Sequence, residues 1–268
     1  MHHFASGTHR NYYGKAEVIA YRRTRELDLP FGANVTMLLY GDAFWPTYAT
    51  GDNTGLIATD SMKNFIQRET LNFPGDDLES YCRFLAEKFL RIYPQTAGIQ
   101  VSAVEIPYIR LAEGSPALVP GGPARALARI EITRDSVVDM RSGLYGFKLL
   151  RMSGSAFAGF VRDEYTTLPD VSNRPLHMWL DLDWACPEPV AGRVRQIVQQ
   201  VFGAFESGSI QQVIYQIGQA VLEQIDAVTE VHLEANNRTW DSVAERGDLS
   251  IYTDPRPPYG VLGLTLRR

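Results

Sequence analysis

The stretch GDNTGLIATDSMKN, residues 51–64, connects a predicted strand to a predicted helix and sets the interpretation of the rest of the chain. Its opening residues, GDNTG at 51–55, form a hairpin-type turn cluster. A helix is predicted to begin near Ser61, because Thr59, Asp60 and Ser61 are residue types that cap helix N-termini. The junction therefore predicts strands that lead into a helix through a short polar turn.

On both sides of this junction, the first half of the chain has the pattern of two strands, two helices and two further strands. The predicted strands are rich in β-branched and aromatic residues or alternate in polarity, and turn residues bound them. The second helix has apolar residues at the i, i+3, i+4 spacing and ends before Pro94. The predicted strands cover residues 15–21, 34–40, 100–106 and 124–138, and the predicted helices begin near residue 61 and cover 77–93.

The second half repeats this order at low sequence identity. Its predicted strands cover residues 144–152, 157–165, 176–182, 228–233 and 260–266, with SGS at 153–155 as a turn, and its predicted helices cover 193–205 and 209–225. The repeated order is a sign of internal duplication. It predicts an α+β fold in which antiparallel sheets carry helices on one face. The sheet face without helices would be covered in an oligomer, so we expect one.

The composition excludes several kinds of partner. The chain has 268 residues, of which 45% are hydrophobic and 21% charged, as in ordinary globular proteins. Its formal net charge of -5 gives no indication of a nucleic-acid partner. No window approaches the roughly 18 apolar residues of a membrane span. We therefore expect neither a nucleic acid nor a membrane as a partner.

Cysteine usage indicates a reducing compartment. Cys82 and Cys186 lie far apart, and the sequence has no CxxC pair or Cys/His ligand spacing, so neither a disulfide framework nor a structural zinc site is expected. His2, His3 and His9 are interpreted as part of an N-terminal tail rather than a metal-binding arm. The same segment lacks the apolar core of a signal peptide, so a cytoplasmic protein is expected.

Several distinctive segments occur in a fixed order along the chain. The most specific are GDNTGLIATDSMKN and SAFAGFVRDEYTTLPD, the latter at residues 155–170. The others are YGK at 13–15, SIQ at 209–211, NRTWD at 237–241 and YTDPRPPYG at 252–260. Together they resemble the signature segments of the urate oxidase family and cover essentially the whole chain.

The resemblance implies two tandem tunnelling-fold (T-fold) domains, residues 1–140 and 141–268. It implies a homotetramer around a central tunnel, with active sites where subunits meet. It also implies oxidation of urate by O2 to 5-hydroxyisourate with release of H2O2, without a cofactor or a metal. Urate suits such chemistry, because it is an electron-rich anion that can react with O2 once it is deprotonated.

Two residues match the proton relay that the resemblance implies. Lys15 matches the family's lysine and Thr59 its threonine. A lysine with its pKa lowered by burial can take a proton from a threonine hydroxyl or a bound water. Asp60 matches a residue whose backbone N–H reaches the substrate from a helix N-terminus. Without the resemblance, Lys15 would be a surface residue at a strand end and Thr59 a helix cap.

Residues of the second half match the family's substrate-binding groups. Phe157 matches the aromatic residue that stacks on the substrate ring. Arg174 and Gln211 match the pair that hydrogen-bonds the substrate edge, and Ile210 would present its backbone to the ligand. Phe160 is predicted to face the other side of the sheet, because successive residues of a strand point to opposite faces.

The chain departs from the family's pattern at one catalytic position. Alignment on TWD places Asn236 at the family's asparagine and Arg238 at its histidine, with Asn237 as the alternative asparagine if the register shifts by one. Arginine donates hydrogen bonds but does not exchange protons near neutral pH, as histidine does. His177 and His232 are therefore further candidates for proton transfer, although neither lies in a matched catalytic segment.

Three functions fit this departure. The first is a urate oxidase in which Lys15, Thr59 and water carry the protons. The second is a sister cofactor-free oxygenase that acts on a different purine-like nitrogen heterocycle through Arg238. The third is a catalytically weak purine-binding homologue. Retention of the other matched site residues disfavours the third function, because a site without turnover is no longer constrained to keep them.

Overall fold

The architecture comes from a computed structural model, which describes residues 11–23, 25, 28–204 and 206–268. The chain divides into two compact units. Unit 1 comprises Met1–Ser142 with Pro187–Pro189, and unit 2 comprises Gly143–Cys186 with Val190–Arg268. The interpretation of His2, His3 and His9 as a tail concerns residues outside those described.

Unit 1 is built on an antiparallel sheet. Its strands are β1 (Tyr12–Arg22), β2 (Phe31–Tyr40), β3 (Gly98–Glu105), β4 (Tyr108–Arg110), β5 (Leu118–Pro120) and β6 (Arg125–Thr133), and its helices are α1 (Trp45–Thr50), α2 (Thr59–Asn72) and α3 (Leu78–Ile92). The sheet order is β1-β2-β3-β6, and β4 pairs separately with β5. Helix α2 packs on β1, and α3 packs on β3 and β6.

The core of unit 1 lies between the sheet and its helices. Val35, Met37 and Leu39 alternate along β2 and are completely buried, whereas the residues between them are partly exposed. From α3, Leu85 and Phe89 are buried one helical turn apart. Buried residues recur at every second position of β2 and one helical turn apart in α3. Each element therefore has one apolar face, and both faces contribute to this core.

Unit 2 follows the same plan. Its strands are β7 (Val137–Phe157, in this unit from Gly143 onward), β8 (Val171–Ala185), β9 (Glu230–Asn237), β10 (Asp241–Arg246), β11 (Leu249–Thr253) and β12 (Val261–Arg267), and its helices are α4 (Ala191–Ala204) and α5 (Ile210–Gln224). The sheet order is β7-β8-β9-β12, and β8, β9 and β12 are antiparallel neighbours. β10 and β11 form a separate hairpin. Helix α5 packs on β9, β12 and α4. The predicted α+β fold, antiparallel sheets with helices on one face, is confirmed.

Three local predictions are wrong. SGS at 153–155 is not a turn but part of β7, and the predicted return strand at 157–165 is a loop beyond its first residue. The extended path continues because the Gly154 N–H donates to the Asn173 side-chain oxygen at 2.7 Å, and glycine tolerates the φ of 80° there. The GDNTG cluster does not join two strands either, because it follows α1, whose last residue is Thr50.

Among the described residues, no helix combines the length and the apolar character needed to cross a membrane.

Candidate active site

The start of β1 is joined to the segment that leads into α2. The Tyr13 hydroxyl accepts a hydrogen bond from the Ile57 N–H at 3.0 Å, and its ring packs edge-on against Phe44 at 4.9 Å. Burial raises the pKa of Tyr13 to about 12, so its phenol stays neutral. Gly14 is required next to it, because a Cβ there would overlap the Met37 carbonyl oxygen. These contacts position the strand that carries Lys15.

Lys15 lies half-buried immediately before an irregularity in β1. Its partner on β2 is Met37, but the pairing register shifts between Lys15 and Val18. Glu17, inside this bulge, has a φ of 56°, which is uncommon for a residue other than glycine. Bulges often lie beside active sites, where they change the direction of a side chain. The YGK segment therefore ends at a local distortion rather than in a regular strand.

Thr59 is the first residue of α2, and it does not cap the helix. The N-cap is Ala58, which makes no side-chain capping hydrogen bond, so the prediction that Thr59, Asp60 or Ser61 caps this helix is wrong. The first N–H groups of a helix have no partner within it and point outward from its N-terminal end. The N-terminus of α2 therefore combines backbone donors with a threonine hydroxyl that capping does not occupy.

Asp60 directs its carboxylate along the helix. It forms an ion pair with Lys63 at 2.6 Å and accepts a hydrogen bond from the Asn64 side chain at 2.9 Å. Lys63 lowers the pKa of Asp60, and the charge of Lys15 lowers it further. The carboxylate thus stays ionised while the backbone N–H of Asp60 lies at the helix start.

In unit 2, Phe157 ends β7 and stacks on Phe160. The ring centroids lie 5.0 Å apart, with 13° between the planes. The prediction that these rings face opposite sides of the sheet is wrong, because the strand ends at Phe157 and Gly159, with a φ of 75°, turns the chain back. One face of the predicted stacking residue is therefore supported by a second aromatic ring.

The loop after Phe160 is held by its own polar side chains. The Arg162 guanidinium lies 4.9 Å from the centre of the Phe160 ring and forms an ion pair with Asp170 at 3.0 Å. Asp170 also accepts a hydrogen bond from the Gly159 N–H at 3.2 Å. The RDEYTTLPD segment therefore closes on itself behind the aromatic pair.

Arg174 and Asn236 hold buried polar atoms without a partner. Nε of Arg174, in β8, and Oδ1 of Asn236, in β9, have no hydrogen bond in the described structure. Burial lowers the pKa of Arg174. The alternative residue Asn237 is occupied, because its side-chain oxygen accepts the Thr239 N–H at 2.9 Å. Asn236 is thus the asparagine with an available acceptor.

Helix α5 begins with two predicted substrate-binding residues, Ile210 and Gln211. Ser209 caps it by accepting a hydrogen bond from the Gln212 N–H at 3.1 Å. Ile210, the first helical residue, is buried, and Gln211, the second, is exposed. The helix N-terminus therefore presents backbone donors beside the Gln211 amide.

Arg238 follows β9 and lies between two aromatic rings. Its guanidinium carbon is 4.0 Å from the centre of the Trp179 ring and 3.3 Å from that of Tyr259. Such contacts hold a cation by attraction to the ring face. The sequence reasoning missed both aromatic residues, although Tyr259 lies in the matched YTDPRPPYG segment. Arg238 is thus a cation in contact with two aromatic rings, and its side chain offers no group that accepts a proton at that position.

Unit 2 contains an open cleft of about 370 Å³. The residues that line it are Ser153, Gly154, Ala156, Ser172, Asn173, Glu206, Ser207 and Gly208. These segments adjoin Phe157, Arg174 and Ser209 in the sequence, but the predicted site residues are not among the lining residues. The predicted residues thus fall into two groups, Lys15, Thr59 and Asp60 in unit 1 and the others in unit 2.

The repeated sheet with paired helices, and a helix N-terminus among the predicted site residues of each unit, define a T-fold protein. Comparison with known proteins gives the family. The Uricase family model matches residues 140–262. The chain is 37% identical to the uricase of Haloferax volcanii, over 89% of this chain and 86% of that protein. The chain belongs to the uricase family, and the predicted membership is confirmed.

Other relatives agree with this assignment. The chain is 35% identical to the uric acid degradation bifunctional protein of Bacillus sp. TB-90, over 93% of this chain but 58% of that protein. It therefore spans somewhat more than half the length of that bifunctional relative. The crystal structure of urate oxidase from the same Bacillus matches with a TM-score of 0.84 and 34% identity, over 96% of this chain and 100% of that chain. The uricase structure from Arthrobacter globiformis matches with a TM-score of 0.84 at 25% identity, over 99% of this chain and 96% of that chain.

Proposed function

We propose that this protein oxidises urate with O2. Urate passes two electrons and two protons to O2, which becomes H2O2, and a water molecule adds to the oxidised ring to give 5-hydroxyisourate. The observation that carries the proposal is that Arg174 Nε and Asn236 Oδ1, two of several buried atoms without a partner in the described structure, belong to residues matched to the family's substrate-binding and catalytic groups. Buried polar groups in proteins almost always have partners. A flat heterocycle with both N–H and C=O groups would supply an acceptor for the first and a donor for the second.

The binding groups of unit 2 fit such a ring. Phe157, with one face against Phe160, offers its other face for an offset stack. The guanidinium of Arg174 and the exposed amide of Gln211 would bind the polar edge. The first N–H of α5, at Ile210, adds a donor for an anionic oxygen.

The groups of unit 1 would move the protons. Thr59 has a hydroxyl that capping does not occupy, at the N-terminus of α2, where backbone donors favour anions such as peroxide. Lys15 is half-buried, and its charge acts on the pKa of the adjacent Asp60. The proposed relay carries the protons that the substrate loses, directly or through a bound water, by way of Thr59 to Lys15. It requires neither a metal nor an organic cofactor, because the electrons pass from urate to O2.

We further propose a homotetramer in which a unit 1 group of one subunit meets a unit 2 group of its partner. The terminal strands of the two sheets support this, because β1 exposes Ile19 and Tyr21 and β12 exposes Val261. Sheet edges with exposed apolar residues are suited to pairing with another chain. The proposed T-fold domains are residues 1–140 and 141–268. The buried thiols Cys82 and Cys186 are compatible with the proposed cytoplasmic location.

The names of the relatives favour urate over a different heterocycle as the substrate. Arg238 remains the feature that would distinguish the two, since its cation lies between Trp179 and Tyr259. An arginine held in this way can bind an anionic ring without exchanging protons.

The test uses purified, metal-free protein with urate in air. Loss of the urate absorbance, oxygen uptake and H2O2 formation are followed together. The proposal predicts that the three proceed in equal molar amounts. Oxygen uptake with a different purine-like heterocycle but not with urate would instead support the sister activity. Binding of urate without oxygen uptake would contradict the proposed oxidation.

A further inference from the structure

The strand register of unit 2 places His177 next to Arg238. Met178 pairs with Asn237 and Trp179 pairs with Asn236 across β8 and β9. One step further, the Arg238 N–H donates to the His177 carbonyl oxygen at 2.9 Å. Residues opposite each other on antiparallel strands share a face of the sheet. His177 therefore lies on the face that carries Trp179, Asn236 and Arg238.

The imidazole of His177 is half-buried and incompletely bonded. Its Nδ1 is buried and has no hydrogen-bond partner in the described structure. The rings of His177 and Trp240 form an edge-to-face contact, with their centroids 6.1 Å apart and their planes at 75°. Nδ1 is thus shielded from water, so the nitrogen considered for proton exchange is Nε2.

The charged groups around His177 come from three segments. Arg238 follows β9, Lys148 lies in β7, and Asp254 follows β11. Burial lowers the pKa of His177, the two cations lower it further, and Asp254 acts in the opposite direction. The ring is therefore neutral at neutral pH and able to accept a proton.

Arg238 cannot take this role. Arginine stays protonated, and the Arg238 guanidinium is held between Trp179 and Tyr259. The other histidine on these strands, His232, lies four residues before Asn236, about 13 Å away along β9. Its Nδ1 is already hydrogen-bonded to Thr265 at 2.9 Å.

We propose that His177 is the acid–base residue on the unit 2 side of the site, and that Arg238 beside it is a fixed cation. This assignment rests on the proposed oxidation of urate. Electrons still pass from urate to O2. When water then adds to the oxidised ring, its oxygen bonds to a ring carbon and one of its O–H bonds breaks. Nε2 of His177 accepts that proton and returns it to a ring nitrogen, so the histidine ends neutral.

The test compares His177→Gln with His232→Gln as the matched control. Turnover of wild-type protein with urate is measured first, from pH 5 to 9. His177→Gln is expected to lower kcat about 100-fold or more, with KM changed little, because general acid–base groups contribute about 10²–10⁴-fold. The wild-type fall in kcat at acidic pH, below the usual histidine pKa, should disappear in this variant. His232→Gln should match wild type in both respects.

A second variant distinguishes the loss of an acid–base group from a folding defect. Arg238→His added to His177→Gln should restore turnover at least tenfold, because it returns an imidazole to the adjacent position. Absence of this rescue from a folded double variant, or a His177→Gln protein that keeps both its kcat and its pH profile, would overturn the assignment of His177 while urate oxidation stands. A wild-type protein that does not oxidise urate would overturn the proposed function and the assignment with it, and the wild-type measurement alone distinguishes that case.

Discussion

Helices α2 and α5 carry predicted site residues of units 1 and 2 at their N-termini, and these two N-termini differ. In α2 the cap is Ala58, without a capping side chain, and the helix begins at Thr59. In α5 the cap is Ser209, whose hydroxyl accepts the Gln212 N–H. The Gln212 side chain in turn accepts the Gly208 N–H at 2.8 Å. One helix start is closed by its own polar side chains, and the other is not.

This difference suggests a division of labour within one repeated plan. Capping at α5 fixes the first turn, beside which the Gln211 amide would serve recognition. At α2 a hydroxyl side chain lies at the helix start without a capping role, beside the strand that carries Lys15. The same helix dipole would serve binding in unit 2 and proton transfer in unit 1. Three predictions test this contrast.

The largest effect is expected at the uncapped helix start. Thr59→Ala or Lys15→Ala should each lower kcat by about 10²-fold or more, because each removes a member of the relay. Steady-state oxygen uptake with urate measures this. Thr54→Ala is the matched control, since its hydroxyl bonds only the nearby Asp52 in an exposed loop among the described contacts. Full turnover in both relay variants would contradict the proposal that the α2 N-terminus serves proton transfer.

A smaller effect, and of a different kind, is expected at the capped helix start. Gln211→Ala should raise KM about tenfold and leave kcat nearly unchanged, because an unpaired polar edge in the bound substrate costs about 1–3 kcal/mol. Gln219→Ala, which removes an exposed amide bonded to Tyr215 on the same helix, provides the comparison. A loss confined to kcat would mean that Gln211 acts in the chemical step instead.

The smallest effect concerns stability. Ser209→Ala should lower the free energy of unfolding by about 1 kcal/mol, as loss of an N-cap typically does, whereas Thr59→Ala should leave it nearly unchanged. Urea denaturation of both variants gives the two values. Equal destabilisation by the two substitutions would show that Thr59 stabilises its helix as a cap, against the geometry seen in α2.

Much of the fold could be predicted from local patterns. The apolar spacing of α3 and α5 and the alternation of β2 are strong because burial of one face dictates each of them. The path of β7 through SGS could not be predicted, since it depends on Asn173, a residue of the next strand, which binds Gly154. Turn-type residues indicate a turn only when no partner strand competes for them.

The candidate site was predictable in part for the same reason. The resemblance identified the site residues by short contiguous segments, and their roles stay predictions. In the described structure Arg174 Nε and Asn236 Oδ1 are buried without a hydrogen-bond partner. Phe160 was misplaced because strand alternation was extended past the end of β7. Trp179 was missed because its contact with Arg238 joins β8 to the residue that follows β9, which no local spacing reveals.

The most direct test of the central claim follows the oxygen atoms. Metal-free wild-type protein is incubated with urate and ordinary O2 in ¹⁸O-labelled water, and the product and peroxide are analysed by mass spectrometry. Transfer of electrons to O2 followed by addition of water predicts one labelled oxygen in the first product and none in the H2O2. An unlabelled product, with its new oxygen taken from O2, would contradict the account and show that the protein is an oxygenase.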